Sequence, residues 1–266
     1  EAWHQLFSDV AVFVERQDLN QMRAMVAALE AAVALPEYQA HVLSRAPAAA
    51  RYNPGPVGVF MGYDFHLGME GPRLIEINTN AGGAFINSVL ARAQRQCCGG
   101  TRNETWTEGF DRAVIDQFES EWRAQYGGDG PATIAIVDKQ PWEQHLFPEF
   151  KLAQRLLQNS GIETVILSPE ELDYEAGVLY GNGKRIDLVY NRLVDFGFEA
   201  PEHTALRSAW LHQGAVITPN PRAHALFADK RNLAVLSDPV WLENRGLSSD
   251  KANLLRQCVP QTVWVT

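Results

Sequence analysis

Cysteine is scarce in this sequence: three among 266 residues, with Cys97 and Cys98 adjacent and Cys258 far downstream. An odd count without a CxxC pair argues against a disulfide framework and a thiolate zinc site, and fits a reduced, cytoplasmic setting. Long apolar runs are also missing. None approaches the roughly 20 residues needed to span a membrane, so no membrane partner is expected. There is no basic run either, with 23 Lys and Arg against 32 Asp and Glu and a net charge of −9. Phosphate contacts need clustered cations, which argues against nucleic acid as a partner. Acidity does not argue against a nucleotide, since magnesium bridges carboxylates to phosphates. The start, Glu1-Ala2-Trp3-His4, carries neither an initiator Met nor a signal-peptide pattern, so residues are expected to precede it. Internal repeats and low-complexity tracts are absent.

What is present is patterned. Over residues 2–45 apolar side chains such as Leu6, Val10, Val14, Met22, Met25, Val26 and Leu29 recur at helical spacing. Asp18 reads as an N-cap between two helices, and Pro36 as the start of another. After the turn-rich Asn53-Pro54-Gly55-Pro56, strands are expected at Val57–Leu67 and Arg73–Asn78, joined as a hairpin across Gly68–Pro72. Helices then fit Ala84–Gln96 and Glu104–Tyr126, and Gly127-Gly128-Asp129-Gly130-Pro131 is the best linker.

Beyond that linker strands and helices alternate. Strands are expected at Thr133–Val137, Thr164–Leu167, Asp187–Arg192 and Ala215–Thr218, and helices at Phe147–Asn159 and Glu202–His212. Ser168-Pro169-Glu170-Glu171 is a capping box, and Gly181-Asn182-Gly183 a tight turn between Val178–Tyr180 and Lys184–Ile186. Such alternation implies a mostly parallel, Rossmann-like sheet covered on both faces. No GxGxxG follows its first strand, where Val137-Asp138-Lys139 stands instead, which argues against a dinucleotide site. Residues 222–257 read as helix again, and Gln261–Thr266 as the beginning of a strand. The domains are expected at 1–128, 129–221 and 222–266.

The residues with most chemistry are Leu74-Ile75-Glu76-Ile77-Asn78-Thr79-Asn80. Strand alternation puts Glu76 and Asn78 on one face and turns Ile75 and Ile77 into the core. A carboxylate and an amide oxygen on one face are hard ligands suited to Mg²⁺; a half-exposed strand with outward polar residues has the same pattern. Asn80-Ala81-Gly82-Gly83 follows, and a glycine pair lets backbone N–H groups approach and cradle an anion.

Arg73-Leu74-Ile75-Glu76-Ile77-Asn78-Thr79, followed closely by Gly82-Gly83, resembles a strand of eukaryotic-type glutathione synthetase, a circularly permuted member of the ATP-grasp superfamily. Other segments resemble that family in matching order over roughly residues 57–260. They are Tyr63-Asp64-Phe65, the stretch from Glu143 to Glu149, Val189-Tyr190-Asn191-Arg192, and Asp229-Lys230-Arg231-Asn232-Leu233. The resemblance implies an α/β fold: a helical layer plus an ATP-grasp-type strand pair, then a Rossmann-like parallel-sheet substrate domain. It implies a cytoplasmic ATP-dependent carboxylate–amine ligase acting through an acyl phosphate, with ATP and Mg²⁺ as cofactors. Glu76 and Asn78 would be the metal ligands and Lys230 the nucleotide contact. Asp64, Glu143, Glu149, Arg192, Gly82 and Gly83 would face an amino-acid or dipeptide substrate. No separate catalytic residue is assigned, and a homodimer is left open.

Each position has a plainer reading. Arg192 could form a surface salt bridge, Lys230 could be a solvated residue on a helix, and Glu143, His145 and Glu149 could be loop surface. Asp64 could cap the hairpin, and Cys97 and Cys98 could be buried helix residues. Gly62 stands where the family has Arg, and Asn80-Ala81-Gly82 where it has serines, which puts γ-glutamylcysteine as substrate in doubt. Two further classes therefore stay open. One is a non-catalytic peptide- or amino-acid-binding module on the same fold. The other is a glutathionylspermidine synthetase-like ligase, whose cationic acceptor the acidic balance would suit. By the resemblance, a second nucleotide-binding segment, a third metal carboxylate and a glycine-rich lid lie beyond Thr266, so this piece alone is not expected to turn over.

Overall fold

A computed structural model describes residues 6–7, 12–98 and 109–263, the side chains of 95–98 excepted. Parts of four sequence expectations lie outside these residues: residues 2–5 and 8–11 of the helical stretch at 2–45, the beginning of the helix at Glu104, the burial of Cys97 and Cys98, and residues 264–266 of the final strand. The protein is mixed α/β. In chain order the elements are α1 (Arg16–Val33), α2 (Pro36–Ser44), β1 (Gly62–Gly68), β2 (Gly71–Asn78), α3 (Ala84–Cys98), α4 (Phe110–Tyr126), β3 (Thr133–Val137), α5 (Phe147–Asn159) and β4 (Glu163–Leu167). Then follow β5 (Leu172–Glu175), β6 (Val178–Gly181), β7 (Lys184–Ile186), β8 (Leu188–Asn191), α6 (Thr204–Leu211) and β9 (Val216–Thr218). The last are α7 (Pro221–Ala223), α8 (Asn232–Leu236), α9 (Pro239–Glu243) and α10 (Ser249–Cys258).

The chain folds into two compact units that interleave along the sequence. One comprises residues 1–9, 52–60 and 80–221; the other 10–51, 61–79 and 222–266. The first holds a parallel four-stranded sheet in the order β4-β3-β8-β9. Every residue of β3, β8 and β9 is buried, as expected of strands covered on both faces. Phe118, Phe150 and Leu157 from α4 and α5 pack on Ile134, Ile136, Leu188 and Tyr190 in this core. The capping box at Ser168 is present, but it starts a three-residue 3₁₀ turn and not a longer helix. That turn leads into the small antiparallel sheet β5-β6-β7. Asn182 and Gly183, at φ of 49° and 73°, close its β6–β7 turn in the left-handed conformation that this turn type demands.

The second unit is a helical layer around the β1–β2 hairpin. Met25 and Leu29 of α1, Tyr38 of α2, Leu236 of α8 and Leu255 and Cys258 of α10 form one core with Leu74 and Ile77 of β2. Asp18 lies inside the first turn of α1, whose N-cap is Glu15, so it is not the expected N-cap. A carboxylate there still faces the helix's positive end. The 222–257 region is helical only in short pieces, including a wide π turn at His224–Ala228, because Pro239 and Gly246 interrupt it.

Candidate functional site

The hairpin in the second unit departs from simple alternation. Asp64 pairs with Glu76 and Phe65 with Leu74, so Ile75 is an extra residue in β2, a β-bulge. The bulge turns Ile75 outward, 50% exposed, while Leu74 and Ile77 are buried at 0% and 3%. The expectation that Ile75 faces the core is thus overturned, because one inserted residue inverts the pleat. Glu76 and Asn78 follow the bulge and keep a common face. Asp64, directly opposite Glu76 across the ladder, shares that face and does not cap the hairpin. Gly62, opposite Asn78, adds no side chain.

Two carboxylates opposite each other repel. A cation relieves this: Nζ of Lys230 lies 3.0 Å from Oε2 of Glu76. Lys230 sits in the turn between the π turn and α8, not on a helix as expected. Its neighbours Asp229 and Arg231 pair with each other. Among the described residues no group of three or more His, Cys, Asp or Glu side chains is arranged to hold a metal. Asp64, Glu76 and Asn78 offer hard oxygens from one face. That donor set fits Mg²⁺ completed by phosphate oxygens and water, not an all-protein cage.

The first unit carries a cleft of about 690 Å³, lined among others by Asn80, Asp138, Lys139, His145, Arg192, Asp195, Glu202 and His203. Its position follows from topology. The chain leaves β3 through α5 toward β4 on one side, and leaves β8 through α6 toward β9 on the other. Loops after adjacent strands diverge at such a point, and ligand crevices form outside the carboxyl ends. Asp138 and Lys139 come from the end of β3, and Arg192 to Asp195 from the end of β8. Burial raises the Asp138 carboxyl pKa, against the opposing pull of the Lys139 N–H and Arg192.

Arg192 is buried, not the end of a surface salt bridge. One terminal nitrogen, Nη1, donates to the Ala81 carbonyl at 2.9 Å and to the Tyr190 hydroxyl at 3.3 Å. The guanidinium also lies near the Tyr190 and Phe150 rings, 5.3 and 6.0 Å from their centroids. Burial pushes Tyr190 up to about 12 despite that neighbouring charge, which keeps its hydroxyl protonated. Arg192 thus clamps the Asn80–Gly83 loop from one side.

Glu149 clamps it from the other. Its Oε2 accepts the Gly83 N–H at 2.5 Å, and the Ala84 and Phe85 N–H groups also bond to this carboxylate, which caps the amino end of α3. The anion held by this glycine-rich backbone is the protein's own. Burial raises the Glu149 pKa although these N–H groups and Arg192 favour its charge. Gly83 needs its φ of 92°. A Cβ on Gly82 would come within 2.6 Å of Leu146 Cδ1 and 3.1 Å of Arg192 Nη2. Glu143 is exposed in a 3₁₀ turn away from the cleft lining, whereas His145 is exposed and lines it.

Sequence reasoning passed over a pair made by the buried His203 and the half-buried Asp195. His203 Nδ1 is 2.6 Å from Asp195 Oδ2, and Asp195 also accepts the N–H groups of Gly197 and Ala200. Burial works to raise the Asp195 pKa, but the Ala200 N–H, His203 and the Glu199 N–H outweigh it and hold the carboxyl below its usual value. The only sequence signal is Asp195 shortly after a strand end and His203 just before a helix, a spacing too common to single out. Comparison of the chain with models of known protein families and with curated proteins finds no match.

Proposed function

We propose that the protein is an ATP-dependent carboxylate–amine ligase of the permuted ATP-grasp type, in which the hairpin face is a metal and phosphate subsite and the strand-end cleft an acid and amine subsite. The observation that carries this is the Lys230–Glu76 contact. Two residues far apart in the chain, assigned to nucleotide and metal by separate motifs, meet on one face. The parallel sheet and its cleft fit a Rossmann-like substrate domain.

In this reading ATP phosphorylates a substrate carboxylate, and an amine displaces the phosphate. Catalysis of this kind is positioning and charge neutralisation. Asp64, Glu76 and Asn78 would hold Mg²⁺, which would supply positive charge to phosphate oxygens. Lys230, now 3.0 Å from Glu76, would contact a phosphate of the nucleotide. Arg192 grips the substrate carboxylate. The test is Mg²⁺-dependent ADP release by the intact protein over a panel of amino acids, γ-glutamyl dipeptides and polyamines. Release requiring one acid and one amine, lost at least about 100-fold in Glu76→Gln, is the expected result. No release across the panel, with amino-acid binding retained, would favour a non-catalytic binding module.

A further inference from the structure

Lys230 reaches Glu76 with a side chain that is 68% exposed. An ion pair between solvated groups contributes little, so it cannot by itself hold the loop that carries the lysine. The backbone beneath Lys230 must place the ammonium. That backbone leaves the π turn His224–Ala228 at Asp229, where the chain becomes extended. The final carbonyls of a helical turn lack backbone donors. Here one side chain supplies them: Asn232 Nδ2 donates to the Ala225 carbonyl at 2.8 Å and to the Leu226 carbonyl at 3.1 Å. The Tyr38 hydroxyl donates to the same Leu226 carbonyl at 3.0 Å. Arg45 Nη2 donates to Asn232 Oδ1 at 2.7 Å. An arginine has no acceptor, so this bond fixes the amide with its nitrogen toward the two carbonyls. Asn232 is fully buried, and a carbonyl that lost its donor there would be left desolvated and unpaired.

The same residue closes the chain around Lys230. The Asn232 N–H donates to the Asp229 carbonyl at 2.8 Å, and the Leu233 N–H to the Lys230 carbonyl at 3.1 Å. Lys230 therefore sits inside the Asp229–Asn232 turn, whose last residue is anchored in the core. Leu226 and Phe227 of the π turn share that core with Leu74 and Ile77 of β2, the strand that carries Glu76. All of these groups belong to the second unit. We propose that Asn232 is the positioning residue for Lys230: its amide locks the exit of the π turn, so that the ammonium stands at Glu76 where a nucleotide phosphate would be met. The phosphate in this statement rests on the hairpin face being the phosphate subsite of the ligase above. A lysine fixed in advance meets a phosphate without the cost of ordering its loop.

The experiment is NMR of the full chain labelled at lysine ¹³Cε, together with calorimetric titration of Mg·ADP. The chain has five lysines, and Lys230→Met assigns the Lys230 signal. Asn232→Asp keeps the size of the side chain and an acceptor for Arg45 but removes both donors to the π turn. Glu76→Gln is expected to shift the Lys230 signal when made in wild type and not when made in Asn232→Asp. Affinity for Mg·ADP is expected to fall at least about tenfold in Lys230→Met and in Asn232→Asp, and no further in the double variant, because Asn232 acts through Lys230. A residue that only supported the fold would give losses that add. If Asn232→Asp does not fold, Tyr38→Phe takes its place; it removes one hydroxyl donor, and a loss of about threefold is expected, absent in the Lys230→Met background. Additive losses overturn the proposal, as does a Lys230 signal that ignores Glu76→Gln in wild type or answers it equally in the folded variant. Mg·ADP bound equally by wild type and Asn232→Asp sinks the role of Asn232 and leaves the ligase. Wild type that does not bind Mg·ADP sinks the phosphate subsite, and the lysine spectra then decide whether Asn232 positions Lys230.

Discussion

The hairpin face and the strand-end cleft handle charge in opposite ways. On the hairpin, Asp64, Glu76 and Lys230 are solvated, and the ion pair between the last two can be exchanged for another cation at little cost. Around the cleft, Glu149, Arg192, Asp195 and His203 are committed to specific backbone and side-chain partners, three of them buried. Solvated charges can be reassigned when a ligand arrives. Buried ones cannot move without leaving a partner unsatisfied, so they hold a fixed shape. In the proposed ligase, the first face would take up and release cations and phosphates and the second would fix the geometry of a small ligand.

The largest expected effect tests the bulge that shapes the hairpin face. Ile77→Ala should cost about 2–4 kcal/mol in chemical denaturation, as buried large-to-small changes do, while Ile75→Ala stays within about 0.5 kcal/mol. Equal losses would mean that the strand alternates without a bulge. Next, Glu149→Ala removes the cap of α3 and leaves part-buried N–H groups unpaired, an expected loss of about 2–3 kcal/mol, against less than about 1 kcal/mol for Glu76→Ala. A similar small loss for both would erase the contrast between committed and exchangeable carboxylates.

The smallest effect concerns a buried carboxylate that belongs to neither face. Glu121 accepts the Thr218 hydroxyl at 2.6 Å and the Val57 N–H at 3.1 Å. Burial raises its pKa above the ordinary value of 4.5, against the lowering effect of those bonds. The folded state therefore binds the proton more tightly than the unfolded chain does. This contribution to stability is full below about 4.5 and is lost as pH rises through the raised value. Glu121→Gln keeps the shape and a hydrogen bond to Thr218 while removing the titration. It should flatten stability against pH above 4.5 and cost no more than about 1 kcal/mol at neutral pH, as read from denaturant midpoints. A slope unchanged from wild type would assign it to another group.

Local pattern was enough to place much of the fold. The apolar run Thr133–Val137 is β3, and Phe147–Asn159, with Pro148 in its first turn, is α5. The Asn182-Gly183 turn, the parallel alternation and the common face of Glu76 and Asn78 also follow from short-range rules of pleat, period and φ. The rest depends on residues that meet only after folding. Nothing within Leu74–Asn78 says that Ile75 is extra; its partners Asp64 and Phe65 on β1 decide that. Glu149 becomes a cap because α5 brings it to the start of α3, and Lys230 meets Glu76 because the second unit draws its late segment to an early hairpin. The Asp195–His203 pair is closed by a loop whose N–H groups turn onto the same carboxylate. The sequence alone determined which elements form, since backbone preference and hydrophobic period act over a few residues; only the tertiary structure decided which polar groups are brought together and which of them are taken out of water, because desolvation depends on everything packed around them.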